Sequence, residues 1–95
     1  MVSTFRVGSK TDVKALASAV AHALRNQPEV QLRAIGAASV NQAIKAVIVA
    51  RGFLAQRGMD LCVVPEFATV DLPDAVVSLV VFTIQQQDVR PDRLG

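Results

Sequence analysis

The centre of the chain contains a helical segment that is apolar on every side. Between Ala43 and Ala50 the only polar residue is Lys45, and the others are Ala, Ile or Val. A helix of this kind must be covered all around its axis. In a chain of 95 residues, one side can meet a sheet, while another needs a second helix or a partner subunit. We therefore predict a layered fold and a homodimer that forms through this helix.

The segments on either side alternate between strand and helix patterns. Residues 2–7, 30–34, 61–64 and 76–84 are typical of strands, and residues 12–26 and 40–51 are typical of helices. The order β-α-β-α-β-β predicts an α/β fold, more specifically an α+β two-layer sandwich. It consists of a mixed four-stranded sheet with two helices on one face.

Local signals predict where these elements begin and end. Ser9 or Thr11 is suited to cap the first helix, and residues 39–42 have the form of a capping box for the second. Pro65 is expected to end the third strand, and residues 69–74 to form the turn that follows.

Length and composition indicate one domain. Apolar residues make up 52% of the chain, which is enough for a packed core. We assign residues 1–85 to a single domain and residues 86–95, which are polar and lack periodicity, to a flexible tail. A domain this small buries only about 60–65% of its unfolded surface, so association with another copy would add stability.

The reactive side chains are too few for most enzyme chemistry. Cys62 and His22 are the only residues of their types, so neither an internal disulfide nor a zinc site within one chain can form. We predict no catalytic residues, no metal, no cofactor and no enzymatic activity. The first six residues lack the apolar stretch of a signal peptide, and no apolar run approaches the ~20 residues of a membrane span. We therefore expect a cytoplasmic protein.

Charge is unevenly distributed along the chain. Residues 1–57 hold eight cationic and two anionic side chains, whereas residues 58–95 hold two cationic and six anionic ones. The basic half can attract polyanions, although ordinary solvated charges would give the same count.

Two loops could bind phosphate. The segments 8–11 and 36–39 each precede a helix, and helix N-termini present free N–H groups to anions. If both helices start at one end of the sheet, basic and polar side chains gather there, as binding to a nucleic-acid backbone requires. The candidate residues are Lys10, Arg33, Asn41, Gln42 and Lys45. Asn41 and Gln42 could equally be helix caps, and Lys10 could be a solvated turn residue.

Residues 33–53 resemble the central signature of the stage V sporulation protein S family, small bacterial proteins with an Alba-like fold. The similarity extends from about Phe5 to about Ile84. This resemblance implies a cytoplasmic, non-enzymatic regulatory protein of sporulation or development, with the order of strands and helices given above.

The chain is more distantly similar to the archaeal Alba chromatin proteins, which are dimeric and bind DNA and RNA. The Gly-x-Lys loop that ends at Lys10 and the strand end at residues 30–36 match their pattern. By this similarity, Lys10 and Arg33 would contact phosphates. The long basic hairpin arm of Alba proteins corresponds here to a turn that we expect to be short and acidic, with Asp71 and Asp74.

Two hypotheses of function follow. The first is a small dimeric regulator that binds DNA or RNA through backbone phosphates. The alternative is an adaptor in sporulation or development that binds proteins through the acidic turn and the apolar helix, without contacting nucleic acid.

Overall fold

The structure is a computed structural model that describes residues 2–88. Its elements follow the predicted order. They are β1 (Ser3–Val7), α1 (Val13–Asn26), β2 (Glu29–Ala34), α2 (Ala37–Ala55), β3 (Met59–Leu72) and β4 (Ala75–Asp88).

The four strands form one mixed sheet in the order β1-β2-β4-β3. β1 and β2 are parallel, and β4 is antiparallel to both β2 and β3. β1 and β3 are therefore the edge strands. The mixed four-stranded sheet and the two helices confirm the predicted fold class.

The core lies between the sheet and the two helices. β2 contributes Val30, Leu32 and Ala34, all fully buried, and between them Gln31 and Arg33 alternate onto the other face. The inward stripe of α2 is built mainly from alanines (Ala43, Ala46 and Ala50). Small side chains let this helix approach its neighbours closely, whereas Ile44 and Ile48 lie outside this stripe.

The outer face of α2 remains uncovered in the single chain. Ile44 is 46% exposed and Ile48 is 63% exposed. Asn41, Lys45 and Gly52 are exposed beside them. We call these five residues the α2 outer face. The sheet and α1 thus cover part of the apolar helix but not all of it.

The cap of α1 differs from the prediction. Asp12, rather than Ser9 or Thr11, caps the helix: its Oδ1 accepts hydrogen bonds from the N–H groups of Lys14 (3.0 Å) and Ala15 (3.5 Å). The hydroxyl oxygen of Thr11 instead accepts from the N–H of Gly8 at 2.8 Å and closes the β1–α1 loop. The carboxylate is the better acceptor at a helix N-terminus because it also complements the helix dipole.

The predicted capping box of α2 is wrong. The helix begins at Ala37 with Gly36 as its N-cap, and no side chain caps it. Ser39 is buried in the first turn, and Gln42 Nε2 donates to the carbonyl of Thr11 at 2.9 Å. Gly36 has φ +89°, a conformation that favours glycine. With Gly36 as N-cap, the helix begins at Ala37, three residues before the predicted start at residue 40.

α2 also ends later than predicted, because it continues through Gly52 to Ala55. The extra turn buries Leu54 almost completely. Burying a leucine contributes about 1.5–3 kcal/mol, which exceeds the roughly 1 kcal/mol that a glycine costs inside a helix.

β3 and β4 form a long hairpin rather than a short turn. β3 does not end at Pro65 but continues to Leu72, and the reversal occupies only Pro73 and Asp74, not residues 69–74. Proline is tolerated because β3 is an edge strand, whose outward N–H groups are not needed for pairing. We call the distal part of this hairpin, residues 65–82, the arm.

β4 extends further than the predicted strand. Residues 86–88, which the sequence assigned to the tail, pair with Met59–Leu61 of β3. Gln86 Nε2 also donates to the carbonyl of Leu24 and ties the strand to α1. The remainder of the predicted tail, residues 89–95, lies outside the described residues.

Candidate nucleic-acid interface

The parallel pairing of β1 and β2 sets the position of the site. Val7 lies opposite Ala34 at the carboxyl ends of the two strands. The β1–α1 loop with Lys10 and the β2–α2 connection at Gly36 therefore leave the sheet at the same end, where the carboxyl ends of β1 and β2 lie. Both helices start there, as the sequence-based hypothesis requires.

Arg6 and Arg33 lie directly beside each other on these two strands. Neighbouring strands are about 4.8 Å apart. Both side chains are exposed. Strand alternation places them on the face opposite the helices, because Val7 and Leu32 next to them are in the core. We call this face the open face of the sheet. The two cationic side chains thus extend from adjacent positions on neighbouring strands.

The arm encloses the open face on one side and creates a groove of about 820 Å³. Its basic wall contains Arg6 and Arg33, and its apolar wall contains Val70, Leu72 and Leu79. None of the described residues that line this groove carries a carboxylate.

None of the three acidic residues of the arm lines the groove. Glu66 is on the same face of β3 as Val70 and Leu72, but it lies beyond the residues that line the groove. Asp71 alternates with Val70 and Leu72 along β3, so it points to the other face of the arm. Asp74 is in the exposed turn at the tip and does not line the groove. The negative charge that the sequence associates with this region therefore does not neutralise the arginine pair from inside the groove.

Arg51 shows how a structural cation of this chain is held. Its Nε donates to Asp60 Oδ1 at 2.7 Å, and a second nitrogen donates to Oδ2 at 3.2 Å. Asp60 Oδ1 also accepts from the N–H of Leu61. The hydrogen bond and the charge of Asp60 raise the pKa of Arg51. This pair joins α2 to β3, and it is the only ion pair among the described residues. Among the described residues, therefore, no carboxylate forms an ion pair with Arg6 or Arg33.

The structure separates the five candidate residues into three groups. Arg33 lines the groove, and the exposed Lys10 lies in the loop two residues beyond Gly8 at the groove margin. Asn41 and Lys45 belong to the α2 outer face, next to Ile44 and Ile48. Gln42 uses its amide to hold the β1–α1 loop against α2.

Arg6 was not among the candidate residues. It alternates with Phe5 and Val7 in β1, and this pattern places it on the open face. Its pairing with Arg33 depends on the register between two strands whose paired residues are 27 positions apart in the sequence. A single sequence pattern does not contain that register.

Comparison with protein families identifies the chain. The family model for stage V sporulation protein S (SpoVS) matches residues 3–87. The chain belongs to the SpoVS family. The resemblance recognised in residues 33–53 is thereby confirmed over almost the whole chain, and membership supports a small regulatory protein of sporulation.

A solved structure shows the same fold. Alba from Thermoplasma volcanium superposes with a TM-score of 0.60 over 90% of this chain and 99% of its own length, at 14% sequence identity. The Alba-like fold is thus confirmed for this SpoVS family member. Within residues 2–88, no helix is both long and apolar enough to cross a membrane.

Proposed function

We propose that this SpoVS family member is a cytoplasmic, non-enzymatic regulator that forms homodimers and binds DNA or RNA through backbone phosphates. The observation that carries the proposal is the Arg6–Arg33 pair in a groove whose described lining holds no carboxylate. Guanidinium groups present paired N–H donors that match phosphate oxygens.

The energetics of the pair favour an anionic ligand. Like charges on neighbouring strands repel each other and destabilise a sheet. A phosphate between or beside the two guanidinium groups would offset this repulsion and would release counterions from the nucleic acid. Contacts of this kind position a protein on a backbone without reading its base sequence.

The groove margin offers further donors. Lys10 is exposed in the β1–α1 loop. α2 starts at Gly36 without a side-chain cap, so no side-chain oxygen occupies the first N–H groups of the helix, and these can donate to phosphate. Lys10, Arg6 and Arg33 would therefore form the phosphate-binding surface.

The α2 outer face supports the dimer. Ile44 and Ile48 are large apolar residues that the single chain leaves about half or more exposed. Burial of apolar surface is the main driving force of association. We assign Asn41 and Lys45 to the margin of this contact, rather than to the groove. A two-fold dimer built on this face would present two grooves to one nucleic acid.

A second candidate function is a protein adaptor. Phe67 is 85% exposed and Val76 is 67% exposed on the same face of the arm as Asp71. An apolar patch beside acidic residues suits a partner protein with a basic, partly apolar surface. This face is opposite the groove side of the arm, so the two functions would use different surfaces.

A binding measurement separates the two functions. Fluorescence anisotropy with labelled duplex DNA, single-stranded DNA and RNA is recorded at 50 and 200 mM salt, together with Lys10→Ala. Phosphate binding predicts retention at low salt, a loss of affinity of at least about tenfold at higher salt, and weaker binding by the variant. No binding of any of the three ligands at low salt would contradict the proposal and favour the adaptor.

A further inference from the structure

A second basic cavity lies at the other end of the helix layer. Because β1 and β2 are parallel, α1 and α2 both start at the end of the sheet near the groove, and both finish at the opposite end. There, a cleft of about 280 Å³ opens between the C-terminal halves of the helices. Its polar lining consists of Ser18, His22, Arg25 and Arg57.

The floor of this cleft is apolar. Ala21 and Leu54 are buried beneath it, and Phe53 is 37% exposed at its side. None of the described residues that line the cleft is acidic. An apolar floor with a few convergent polar groups is the usual composition of a small-ligand site.

Helix dipoles account for only part of this arrangement. Arg25 lies in the last turn of α1, and Arg57 follows the end of α2. Each cation complements the carbonyl end of its own helix. That effect requires neither that the two guanidinium groups line one cavity nor that His22 and Ser18 line it with them.

We propose that this cleft binds the phosphate group of a small phosphomonoester, separately from the groove. Arg25 and Arg57 would hold the phosphate through charge-assisted N–H donors, and the Ser18 hydroxyl and the His22 ring would donate to the remaining oxygens. Phe53 would contact the organic part of the ligand. The small volume excludes a duplex but accommodates one phosphorylated group.

The phosphate could come from two sources. A free phosphomonoester presents a dianionic terminal group, whereas a nucleic-acid backbone presents phosphodiesters. Both present anionic oxygens to the same donors, so a separate probe for each source is needed to distinguish them.

NMR provides the test, because His22 is the only histidine of the chain and its ring signals need no further assignment. Phenyl phosphate is titrated into the full chain at constant ionic strength, with sodium chloride as the reference. We expect saturable shifts of the His22 ring and of the Arg25 and Arg57 Nε–H signals. Arg57→Gln should weaken binding about tenfold, and Arg33→Gln should leave it unchanged.

A single-stranded oligonucleotide without terminal phosphates is the second probe. We expect it to shift the His22 ring only at higher concentration than phenyl phosphate does, or not at all. A shift at lower concentration would overturn the assignment to a monoester. Absence of saturable shifts with both probes, or equal shifts with chloride, would overturn the proposal. Arg25→Gln and circular dichroism of both variants distinguish lost binding from lost folding. Because Arg33→Gln affects only the groove, failure of one site does not imply failure of the other.

Discussion

Arg6 on β1 and Arg33 on β2 are register partners in the parallel part of the sheet, and both side chains are exposed on the open face. Their neighbours Val7 and Leu32 are buried on the other side. The same alternation that builds the core thus also places two cationic side chains on one face of the sheet. This arrangement has an energetic cost, because the two like charges repel each other.

Arg33→Gln should stabilise the protein slightly. The substitution removes a repulsive pair from the sheet, and we expect the free energy of unfolding to rise by about 0.5 kcal/mol at low salt. Screening should abolish the gain at about 1 M salt. Urea unfolding at both salt concentrations measures the effect. A loss of stability at low salt would show that the Arg33 side chain has a structural role.

Gly36→Ala should destabilise the protein. Gly36 has φ +89° and ψ 155°, a conformation that is strained for any residue with a Cβ, and the cost is about 1–3 kcal/mol. Chemical unfolding measures it.

Gly52→Ala is the matched control for this substitution. Gly52 is helical, and a Cβ placed there meets nothing within 4 Å. The Gly52→Ala substitution should therefore raise the free energy of unfolding by about 0.5–1 kcal/mol. Equal effects of the two substitutions would contradict the strain argument.

The sequence was sufficient for the order of the elements because each element has its own periodicity. The alternation of Val30, Leu32 and Ala34 and the helical spacing of Leu16, Val20 and Leu24 are local signals. They directly predict which residues form the core.

The errors have a common physical cause, because tertiary contacts override local signals. Pro65 is tolerated only because β3 lies at the edge of the sheet. Gly52 is tolerated because the helix beyond it buries Leu54. Gln42 has a partner on a distant loop and does not form the capping box.

The candidate site was only partly predictable for the same reason. Arg33 and Lys10 follow from sequence motifs, whereas Arg6 becomes a partner of Arg33 only through the strand register. Asp71 is excluded from the groove because β3 extends to Leu72, so that strand alternation turns Asp71 to the other face. The predicted short turn at residues 69–74 gave no basis for this alternation.

Ile48→Lys should convert the dimer into a monomer. A charged residue at the centre of the α2 outer face would be desolvated in the contact. Sedimentation equilibrium measures the mass.

Val76→Lys is the control for the dimer test. Val76 is 67% exposed on the arm, similar to Ile48 at 63%, and its substitution should leave the dimer intact. If the wild-type chain is itself monomeric at tens of micromolar, the assignment of the dimer to this face is wrong.

Arg51→Met should lower the melting temperature by several degrees, because it removes both guanidinium donors from the buried Asp60 carboxylate. Pairing raises the pKa of Arg51. The contribution of the Arg51–Asp60 pair to stability is therefore fully present below the ordinary pKa of arginine. It is lost only when the pH rises through the raised pKa of Arg51 in the folded state. Thermal unfolding of the variant and of Arg57→Met should differ by the same amount at pH 7 and pH 10. A difference that disappears by pH 10 would contradict this assignment.

The central claim is that the arginine pair contacts phosphate, and the dependence of nucleic-acid affinity on salt tests it most directly. The affinities of the wild type, of Arg6→Gln/Arg33→Gln and of Lys45→Gln are measured by anisotropy at several salt concentrations. Lys45→Gln removes one charge from the α2 outer face and serves as the control. We predict that the double variant binds more weakly and that its slope of log K against log salt is shallower by about two, while Lys45→Gln retains the wild-type slope. A double variant with the wild-type affinity and slope would contradict the account.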